Sequence, residues 1–235
     1  MEKKKEACLV CGEELQYFAV DREMECVYCH RKFMSKASCK AGHYVCDECH
    51  SKTAVRHIEE FCLKSQSKNP LEIAVKLMED PYVYMHGPEH HVLVGSALLT
   101  AYHNCGGQLD LPAALDEMRA RGSKVPGGAC GFWGCCGAAV STGMFVSIAT
   151  GATPLSNETW GLSNRMTACA LHSIGEIGGP RCCKRNAFLS IREAVKLSDG
   201  QLGIKMEMPD SIVCTFYQFN KQCIGKRCPF NPVNH

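Results

Sequence analysis

The chain has 235 residues, 46% of them hydrophobic, which is enough for one substantial core and a small additional module. Its formal net charge of +2 at pH 7 gives no electrostatic argument for a nucleic-acid partner. No apolar run is long enough to cross a membrane, and the start MEKKKEAC lacks the hydrophobic segment of a signal peptide. The composition therefore predicts a cytoplasmic protein whose partners are neither membranes nor nucleic acids.

The 18 cysteines are the most unusual feature of this composition. Because the cytoplasm is reducing, so many cysteines indicate metal binding or catalysis rather than disulfide bonds. Residues 8–49 contain four closely spaced ligand pairs, namely Cys8-x2-Cys11, Cys26-x2-Cys29, Cys39-x3-His43 and Cys46-x2-Cys49. Two such pairs complete one tetrahedral site, so these eight residues predict two zinc ions in a ribbon or treble-clef-like module.

The spacing alone does not decide how the four pairs combine. A sequential arrangement joins the first pair to the second and the third to the fourth. A cross-brace joins the first pair to the third and the second to the fourth. His30 and His50 directly follow ligands and are alternative donors. In either arrangement, metal is expected to supply much of the folding free energy of so short a segment.

Helical patterns dominate the chain after this module. Apolar spacing and the positions of Asn69, Pro70, Pro88 and Pro112 predict helices over 51–67, 69–78, 88–104 and 112–121, with another over 184–197. After Gly200, the segments IKMEM and SIVCTFYQF look extended. The predicted fold is mainly α, organised as a two-zinc module over 1–50, a helical connector over 51–84, a helical core over 85–200 and a cysteine-containing tail over 201–235.

Three histidines cluster around one predicted helix start. Because functional residues often lie at element ends, His90 and His91 are predicted to bind substrate. His86 and His90 are four residues apart, so they would share a helix face and form a metal pair if the helix began before them. Simple hydrogen bonding at a partly exposed helix end is the plainer interpretation. Trp133 and Trp160 are expected to anchor the core.

Six further cysteines lie in the predicted core: Cys130, Cys135, Cys136, Cys169, Cys182 and Cys183. Cys130 and Cys182 each stand before a predicted helix, where free N–H groups and the helix dipole are expected to lower the thiol pKa. The same field favours an anionic iron–sulfur cluster. Ordinary buried thiols are the alternative interpretation.

The stretch GGPRCCKRNAFLSIREAVKL resembles a segment of the iron–sulfur L-serine dehydratase α-chain in which a cluster cysteine, two residues and Arg-Asn-Ala precede a helix. Upstream, ACGFWGCCGAAVSTG is similar to that family's Cys-Gln-Gly-Glu-Val-Gly stretch, although Gly131–Trp133 replace its Gln-Gly-Glu. The L-cysteine desulfidases share this architecture. The resemblance covers residues 127–197, and the whole chain is also similar to an uncharacterised cysteine-rich family of anaerobes.

The resemblance implies a 4Fe–4S cluster held by Cys130, Cys182 and a middle ligand, for which Cys169 is the best candidate and His172 the next. Three protein ligands leave one iron open, and Cys228 in the tail is the candidate fourth ligand that would reach it. Such a cluster implies a lyase in which an open iron polarises a hydroxyl or thiol of a small amino or hydroxy acid. Arg185 and Asn186 are then expected to bind the substrate carboxylate. No catalytic residue is assigned.

Two questions stay open at this level. Cys214, Cys223 and Cys228 either contribute a ligand to the core cluster or form a separate metal site with one donor from elsewhere. The protein is either an iron–sulfur lyase or sulfur-handling enzyme, or a non-catalytic metal protein that serves as an adaptor, a metallocentre assembly factor or a sulfur carrier. A small-molecule substrate is the expected partner, and a homodimer is left open.

Overall fold

A β-hairpin followed by eight helices makes up the described part of the chain, residues 8–235 of a computed structural model. Strands β1 (Leu15–Glu25) and β2 (Lys32–Cys39) are antiparallel, with an irregularity between Tyr17 and Arg22. Met1–Ala7, on which the signal-peptide argument and the start of the predicted module rest, lie outside the described residues. The prediction of a mainly α fold with a small N-terminal cysteine module is confirmed.

The helices follow one another along the chain with short connections. They are α1 (Asp47–Lys64), α2 (Pro70–Glu79), α3 (His90–Asn104), α4 (Leu111–Gly122), α5 (Ala129–Phe132), α6 (Gly137–Thr150), α7 (Glu158–Ile177) and α8 (Cys183–Leu197). A short π-helical turn, Ser198–Leu202, extends α8. Within the described residues, none of these helices has both the length and the apolar composition needed to cross a membrane.

The predicted start of α2 is confirmed in detail. The Asn69 side chain accepts hydrogen bonds from the backbone N–H groups of Leu71 (2.9 Å) and Glu72 (3.1 Å), and Pro70 occupies the first turn. Asp110 caps α4 in the same way, by accepting the N–H of Ala113 at 3.0 Å. These caps satisfy N–H groups that the first turn of a helix leaves unpaired.

Helix α3 lies at the centre of the core. It is buried on nearly all sides and contacts α1, α2, α4, α6 and α8. A helix that is apolar around its whole circumference needs such surroundings. Helix α6 approaches closely at Gly95, whose N–H donates to Ser141 Oγ at 2.8 Å, and a side chain at Gly95 would collide with Met118.

The described tail after Gly203 has neither a helix of several turns nor a β-strand, in agreement with the expected short extended tail. Its only regular elements are three 3-10 turns at Tyr217–Phe219, Gly225–Arg227 and Pro232–Asn234. The tail is nevertheless packed on the core: Phe216 and Phe230 are buried, and the Phe230 ring stands edge-on to Phe188 with a centroid separation of 5.5 Å.

Trp133 and Trp160 do not anchor the core, so this prediction is wrong. Trp133 is 70% exposed and Trp160 is 52% exposed. Trp133 directly follows the four-residue helix α5, and Trp160 lies near the start of α7, which is largely exposed. The core is instead filled by aliphatic residues and by Phe145 and Phe188.

Candidate metal centres and cleft

The eight ligands of the N-terminal module form two groups. In each group, the candidate ligand atoms lie within 4.8 Å of one another. One group contains Cys8, Cys11, Cys39 and His43, and the other contains Cys26, Cys29, Cys46 and Cys49. The first pair in sequence therefore combines with the third and the second with the fourth. The cross-brace is the arrangement present.

The distances within both groups suit a single ion. A tetrahedral ion with Zn–S bonds of about 2.3 Å separates two sulfurs by about 3.8 Å. The Sγ atoms of Cys11 and Cys39 are 3.8 Å apart, as are those of Cys29 and Cys46. His43 Nδ1 lies 3.3 Å from Cys11 Sγ and 3.5 Å from Cys39 Sγ.

Backbone N–H groups point at the sulfurs of these ligands. Cys8 Sγ accepts the N–H of Val10 at 3.4 Å, and Cys26 Sγ accepts that of Cys46 at 3.4 Å. Burial would raise the pKa of Cys26, but N–H donors led by that of Cys46 outweigh it and lower the pKa to about 6. Such bonds stabilise the thiolate, which is the form that binds metal.

His30 and His50 belong to neither group. His30 is exposed and pairs with Glu25, their Nδ1 and Oε1 atoms being 3.2 Å apart. His50 Nδ1 instead lies 3.5 Å from Glu89 Oε2 in the core. Together with the hydrogen bond from the Gly127 N–H to Asp47 Oδ2 (2.6 Å), this contact joins the start of α1 to the helical core.

A third set of cysteines surrounds a small cavity between α8 and the tail. The cavity measures about 330 Å³, including its mouth. Four thiols line it, namely those of Cys182, Cys214, Cys223 and Cys228, together with the buried side chains of Lys184 and Arg185. Because no three of these sulfurs lie mutually within 4.8 Å, they stand further apart than the ligands of the N-terminal groups.

A larger cleft lies on the other side of Arg185. It consists of two adjoining depressions of about 1170 and 1700 Å³, including their mouths, which share Tyr17, Gly128, Cys130, Phe132 and Arg181. The hairpin forms part of its wall through Tyr17, and the start of α8 forms another part through Arg185 and Asn186. The cleft is large enough for a small-molecule ligand.

Asn186 and Cys136 contact each other at the wall of the cleft, where Asn186 Nδ2 lies 3.3 Å from Cys136 Sγ. The pKa of Cys130 is raised, first by burial and then by the neighbouring Cys136, with Arg181 opposing both effects. The expectation of a lowered pKa at this helix start is therefore wrong for Cys130. Helix α5 has only four residues, so its dipole is too small to offset burial.

Arg185 lies between the cavity and the cleft and lines both. Its side chain is buried, and its Nη2 donates to the carbonyl oxygens of Gly178 (2.8 Å) and Pro180 (2.9 Å). Its Nε lies 3.3 Å from Asn186 Oδ1. Among residues 8–235 it forms no ion pair.

His90 lies in a buried polar chain rather than at the cleft. Its Nδ1 donates to the carbonyl of Gly87 at 3.1 Å, which leaves Nε2 to accept from Lys184 Nζ at 3.0 Å. Burial, followed by the charge of Lys184, lowers the pKa of His90 to about 4. Glu89, which is fully buried, accepts the N–H of Tyr84 at 3.0 Å beside it. Of the two predicted substrate-binding histidines, only His91 lines the cleft.

The structure brings only some of the predicted cluster ligands together. Cys182 and Cys228 line the same cavity, whereas Cys130 lines the cleft. Cys169 and His172 are exposed on α7. Leu171 and Ile174 of the same helix line the cleft, but Cys169 does not.

Two site residues, Arg181 and Lys184, were not predicted from the sequence as members of these sites. For Cys214 and Cys223 the sequence left two alternatives open, and in the structure both line the cavity of Cys182. The signal that was available was the density of cysteine in the tail and the position of Arg181 directly before the two adjacent cysteines. Neither signal shows which side chains converge.

No curated protein matches the chain, and no solved structure does. Residues 58–231 match a family of unknown function, DUF5714. The match begins inside α1, after the two N-terminal ligand groups, and includes the cleft, the cavity and most of the tail. It covers roughly three quarters of the sequence, so the chain belongs to the family of unknown function DUF5714.

Proposed function

We propose that this protein is an iron–sulfur lyase that acts on a small amino or hydroxy acid bound in the cleft, and that its N-terminal module holds two structural zinc ions. The observation that carries the proposal is Arg185, a buried guanidinium that lines both the cleft and the cysteine cavity and has no ion-pair partner among residues 8–235. A buried cation at a concave site favours an anionic ligand.

Zinc suits the two N-terminal groups because of their donor atoms and because each group already has four protein ligands. Thiolate and imidazole are the donors that zinc prefers, and sets of four cysteines, or of three cysteines and one histidine, are typical of structural sites. Each group already offers four protein ligands. A complete protein shell leaves no position for substrate, so the proposed role of these ions is to hold the hairpin and the start of α1 together.

In the cleft, Arg181 is the side chain best placed to bind a carboxylate. It lines both depressions of the cleft, and its guanidinium lies 5.7 Å from the ring centroid of Tyr17. The planar fork of arginine matches a carboxylate in two parallel hydrogen bonds. Arg185 adds a second positive charge behind it, although both Nη2 hydrogens of Arg185 are already used by backbone carbonyls.

The remaining groups of the cleft wall are proposed to orient the substrate. Asn186 is held against Cys136 and presents its amide at the wall. Glycines line much of this wall, which lets a ligand approach the backbone closely. When bound, an iron–sulfur cluster supplies Lewis-acid chemistry that helps a hydroxyl or thiol to leave. Of the four ligands that the resemblance implies, Cys182 and Cys228 face the cavity next to this wall.

The test is a screen of anaerobically prepared full-length protein with L-serine and L-cysteine. Net conversion of serine gives pyruvate and ammonia, and net conversion of cysteine with one water gives pyruvate, ammonia and hydrogen sulfide. Arg181→Lys should lower kcat/KM by about tenfold or more, because a point charge replaces a bidentate fork. Its iron content should stay unchanged.

Arg165→Lys is the matched control, because Arg165 is exposed on α7 and bonds only to Gln201 at 3.0 Å among the described contacts. It should leave turnover unchanged. Iron-replete protein that converts none of a panel of small amino and hydroxy acids, or an Arg181→Lys variant with unaltered kcat/KM, would contradict the lyase proposal.

A second candidate function is a non-catalytic metal protein, such as an assembly factor or a sulfur carrier. One observation favours it: four cysteines surround the cavity, which is enough to cap a metal centre without any open position. In that case, the cluster should transfer intact to an apo-acceptor protein, and no substrate of the panel should be turned over.

A further inference from the structure

We infer that Cys182, Cys214, Cys223 and Cys228 hold an iron–sulfur cluster that fastens the C-terminal tail to the start of α8, with Arg185 as a buried cationic partner of the cluster. This inference rests on the iron–sulfur centre that both candidate functions share. Because four cysteine ligands leave no iron open to a substrate, it favours the non-catalytic candidate over the lyase. It replaces Cys130 and Cys169 as ligands by two cysteines of the tail.

The four cysteines converge from distant parts of the sequence on one cavity. Cys182 is the N-cap of α8, and its Sγ accepts the backbone N–H of Arg185 at 3.4 Å. Cys214 and Cys228 are brought opposite it by the tail, where the N–H of Cys214 donates to the carbonyl of Phe230 at 2.7 Å. Cys223 lies in the loop between the first two 3-10 turns of the tail.

Backbone N–H groups approach these sulfurs as they do in the N-terminal groups. The N–H of Phe216 contacts the thiol of Cys214, and the N–H of Phe230 contacts that of Cys228. In both cases, the donor is two residues after the cysteine. Val10 donates to Cys8 with this same spacing. N–H donors to sulfur are the feature that stabilises metal-bound thiolates and tunes iron–sulfur centres.

The spacing of the sulfurs favours a cluster over a single ion. The N-terminal groups hold their ligand atoms within 4.8 Å, as one ion requires. The cavity group is wider, and the space it encloses is lined by apolar and aromatic side chains such as Met85, Phe216 and Phe230. Four cysteines around such a space are the donor set of a 4Fe–4S cluster, and Cys228 is followed by Pro229 as the last cysteine of ferredoxin-type motifs is.

The buried charge at the cavity supports an anionic occupant. Arg185 is 3% exposed and has no ion-pair partner among residues 8–235. It lies within electrostatic range of Cys228. Lys184, which is 1% exposed, lines the same cavity and stacks on Phe216 with its Nζ 5.2 Å from the ring centroid. A cluster bound by four thiolates carries a net negative charge and would compensate the guanidinium that burial otherwise disfavours.

The shape of the tail gives an independent reason for a metal link. From Gly203 to His235, the chain has only three short 3-10 turns, yet Cys214, Phe216, Cys228 and Phe230 are buried. Structureless segments of this length inside a packed domain are uncommon, since ordering each residue costs about 1–2 kcal/mol of backbone entropy. Metal ligation supplies such ordering.

The experiment uses full-length protein reconstituted anaerobically with ferrous iron and sulfide. Iron, acid-labile sulfide and zinc are counted, and the visible absorption of the cluster is recorded. In the Cys214→Ala and Cys228→Ala variants, the iron content should fall from about four irons per chain to less than one. Their zinc content should be unchanged, and the tail should become sensitive to protease.

Cys62→Ala is the matched control, since Cys62 is a fully buried core thiol that lies outside the cavity, and it should keep its iron. Cys223→Ala guards against a folding defect, because Cys223 is only half-buried. It should also lose iron while its far-UV circular dichroism matches that of the parent protein.

Two outcomes would overturn the inference. One is a full complement of iron and sulfide in Cys214→Ala and Cys228→Ala together with loss in Cys130→Ala or Cys169→Ala. The other is a third zinc ion and no iron in the reconstituted parent protein. Both are read without turnover, so an inactive protein that holds its cluster on the tail cysteines would refute only the lyase proposal.

The role of Arg185 has its own measurement. Loss of a nearby positive charge makes reduction of the cluster less favourable, so Arg185→Gln should shift the reduction potential to more negative values. Arg185→Lys keeps the charge and should shift it less. Equal potentials in the parent protein and Arg185→Gln would show that Arg185 does not act on the cluster.

Discussion

The N-terminal hairpin module and the C-terminal tail are both rich in cysteine and poor in regular structure, but they bury different residues. Among the described residues of the hairpin module, the buried side chains are mainly the ligands themselves: Cys8, Cys26, Cys39 and Cys46. Its larger apolar residues, such as Tyr17 and Val20, are exposed. The tail, by contrast, buries Phe216 and Phe230 beside its cysteines. Metal alone can account for the module, whereas the tail also has apolar packing.

The two regions also obtain their ligands differently. The module draws all eight from a continuous stretch in which turns place two ligands side by side. The tail supplies three cysteines, and the fourth, Cys182, belongs to α8. The module is therefore expected to bind its metal without help from the core, whereas the cavity exists only when the core has folded. Four predictions test this contrast.

The largest effect is expected from removing two of the four candidate ligands of one N-terminal group. In the cross-brace, Cys8 and Cys39 belong to the same group, so Cys8→Ala with Cys39→Ala should lower the zinc content from two ions to one. Structural zinc contributes about 10–16 kcal/mol in small modules, so this end of the hairpin should unfold. Zinc analysis and limited proteolysis are the measurements.

The reciprocal double variant is its control. Cys8→Ala with Cys26→Ala removes one ligand from each group and should abolish both ions. In a sequential arrangement, the two double variants would exchange their results. Helix content of the core should be unchanged in both.

A smaller loss is expected from Phe230→Ala in the tail. Phe230 is 3% exposed and packs against Phe188, so its removal should lower the free energy of unfolding by about 3–5 kcal/mol. Val233→Ala is the control, because Val233 is 60% exposed and its change should stay within about 0.5 kcal/mol. Urea unfolding of both variants measures the difference. If both variants lowered the free energy of unfolding by the same small amount, metal alone would hold the tail.

The buried His90 predicts a pH dependence in the core. Burial and Lys184 lower its pKa to about 4, against about 6.5 in the unfolded chain. Between these values the unfolded state binds a proton that the folded state excludes. The free energy of unfolding therefore falls as the pH falls, by up to about 1.4 kcal/mol per pH unit for this histidine.

His90→Gln isolates this contribution, since glutamine can still accept from Lys184 but does not titrate. The difference in unfolding free energy between the parent protein and this variant should narrow from pH 6.5 to pH 5.5. The subtraction cancels the acid lability of the two N-terminal ligand groups. A difference that stays constant with pH would mean that folding does not change the pKa of His90.

The smallest effect is expected at Trp133, on the exposed surface beside the cleft. With 70% of this residue exposed, Trp133→Ala should change the free energy of unfolding by less than about 0.5 kcal/mol. Trp160→Ala, at 52% exposure, is the companion variant. A loss of several kcal/mol that depends on protein concentration would indicate that a second copy of the chain covers this surface.

Much of the fold could be predicted because its signals are local. The cap formed by Asn69 with Pro70 depends on atoms within three residues of each other, and the structure places it as expected. The Cys-x2-Cys pairs are equally local, since one turn holds both thiols. The extended segments of the tail form no β-strand because a strand needs a partner, and no neighbouring edge is offered to Ile204–Met208 in the described chain.

The sites that involve several elements were predicted only in part. Cys182 was identified because a helix start and the Arg-Asn-Ala pattern mark it. The other cysteines of the cavity could not be identified in this way, because no regular spacing in the sequence relates Cys182 to Cys214, Cys223 and Cys228. His90 was placed at a site because it begins a helix, but the packing of Lys184 against α3 turned it inward.

The sequence by itself determined helices α1–α4 and α8, the Asn69 cap of α2 and the eight candidate ligands of the N-terminal module, because hydrogen-bonding and chelating groups there lie within one or two turns of each other. Only the tertiary structure decided the cross-brace, the grouping of Cys182 with three tail cysteines, and the position of Arg185 between cavity and cleft. These depend on how helices and loops far apart in the chain pack against one another. Such packing reflects the combined burial of many apolar side chains around α3, and no short stretch of sequence encodes it.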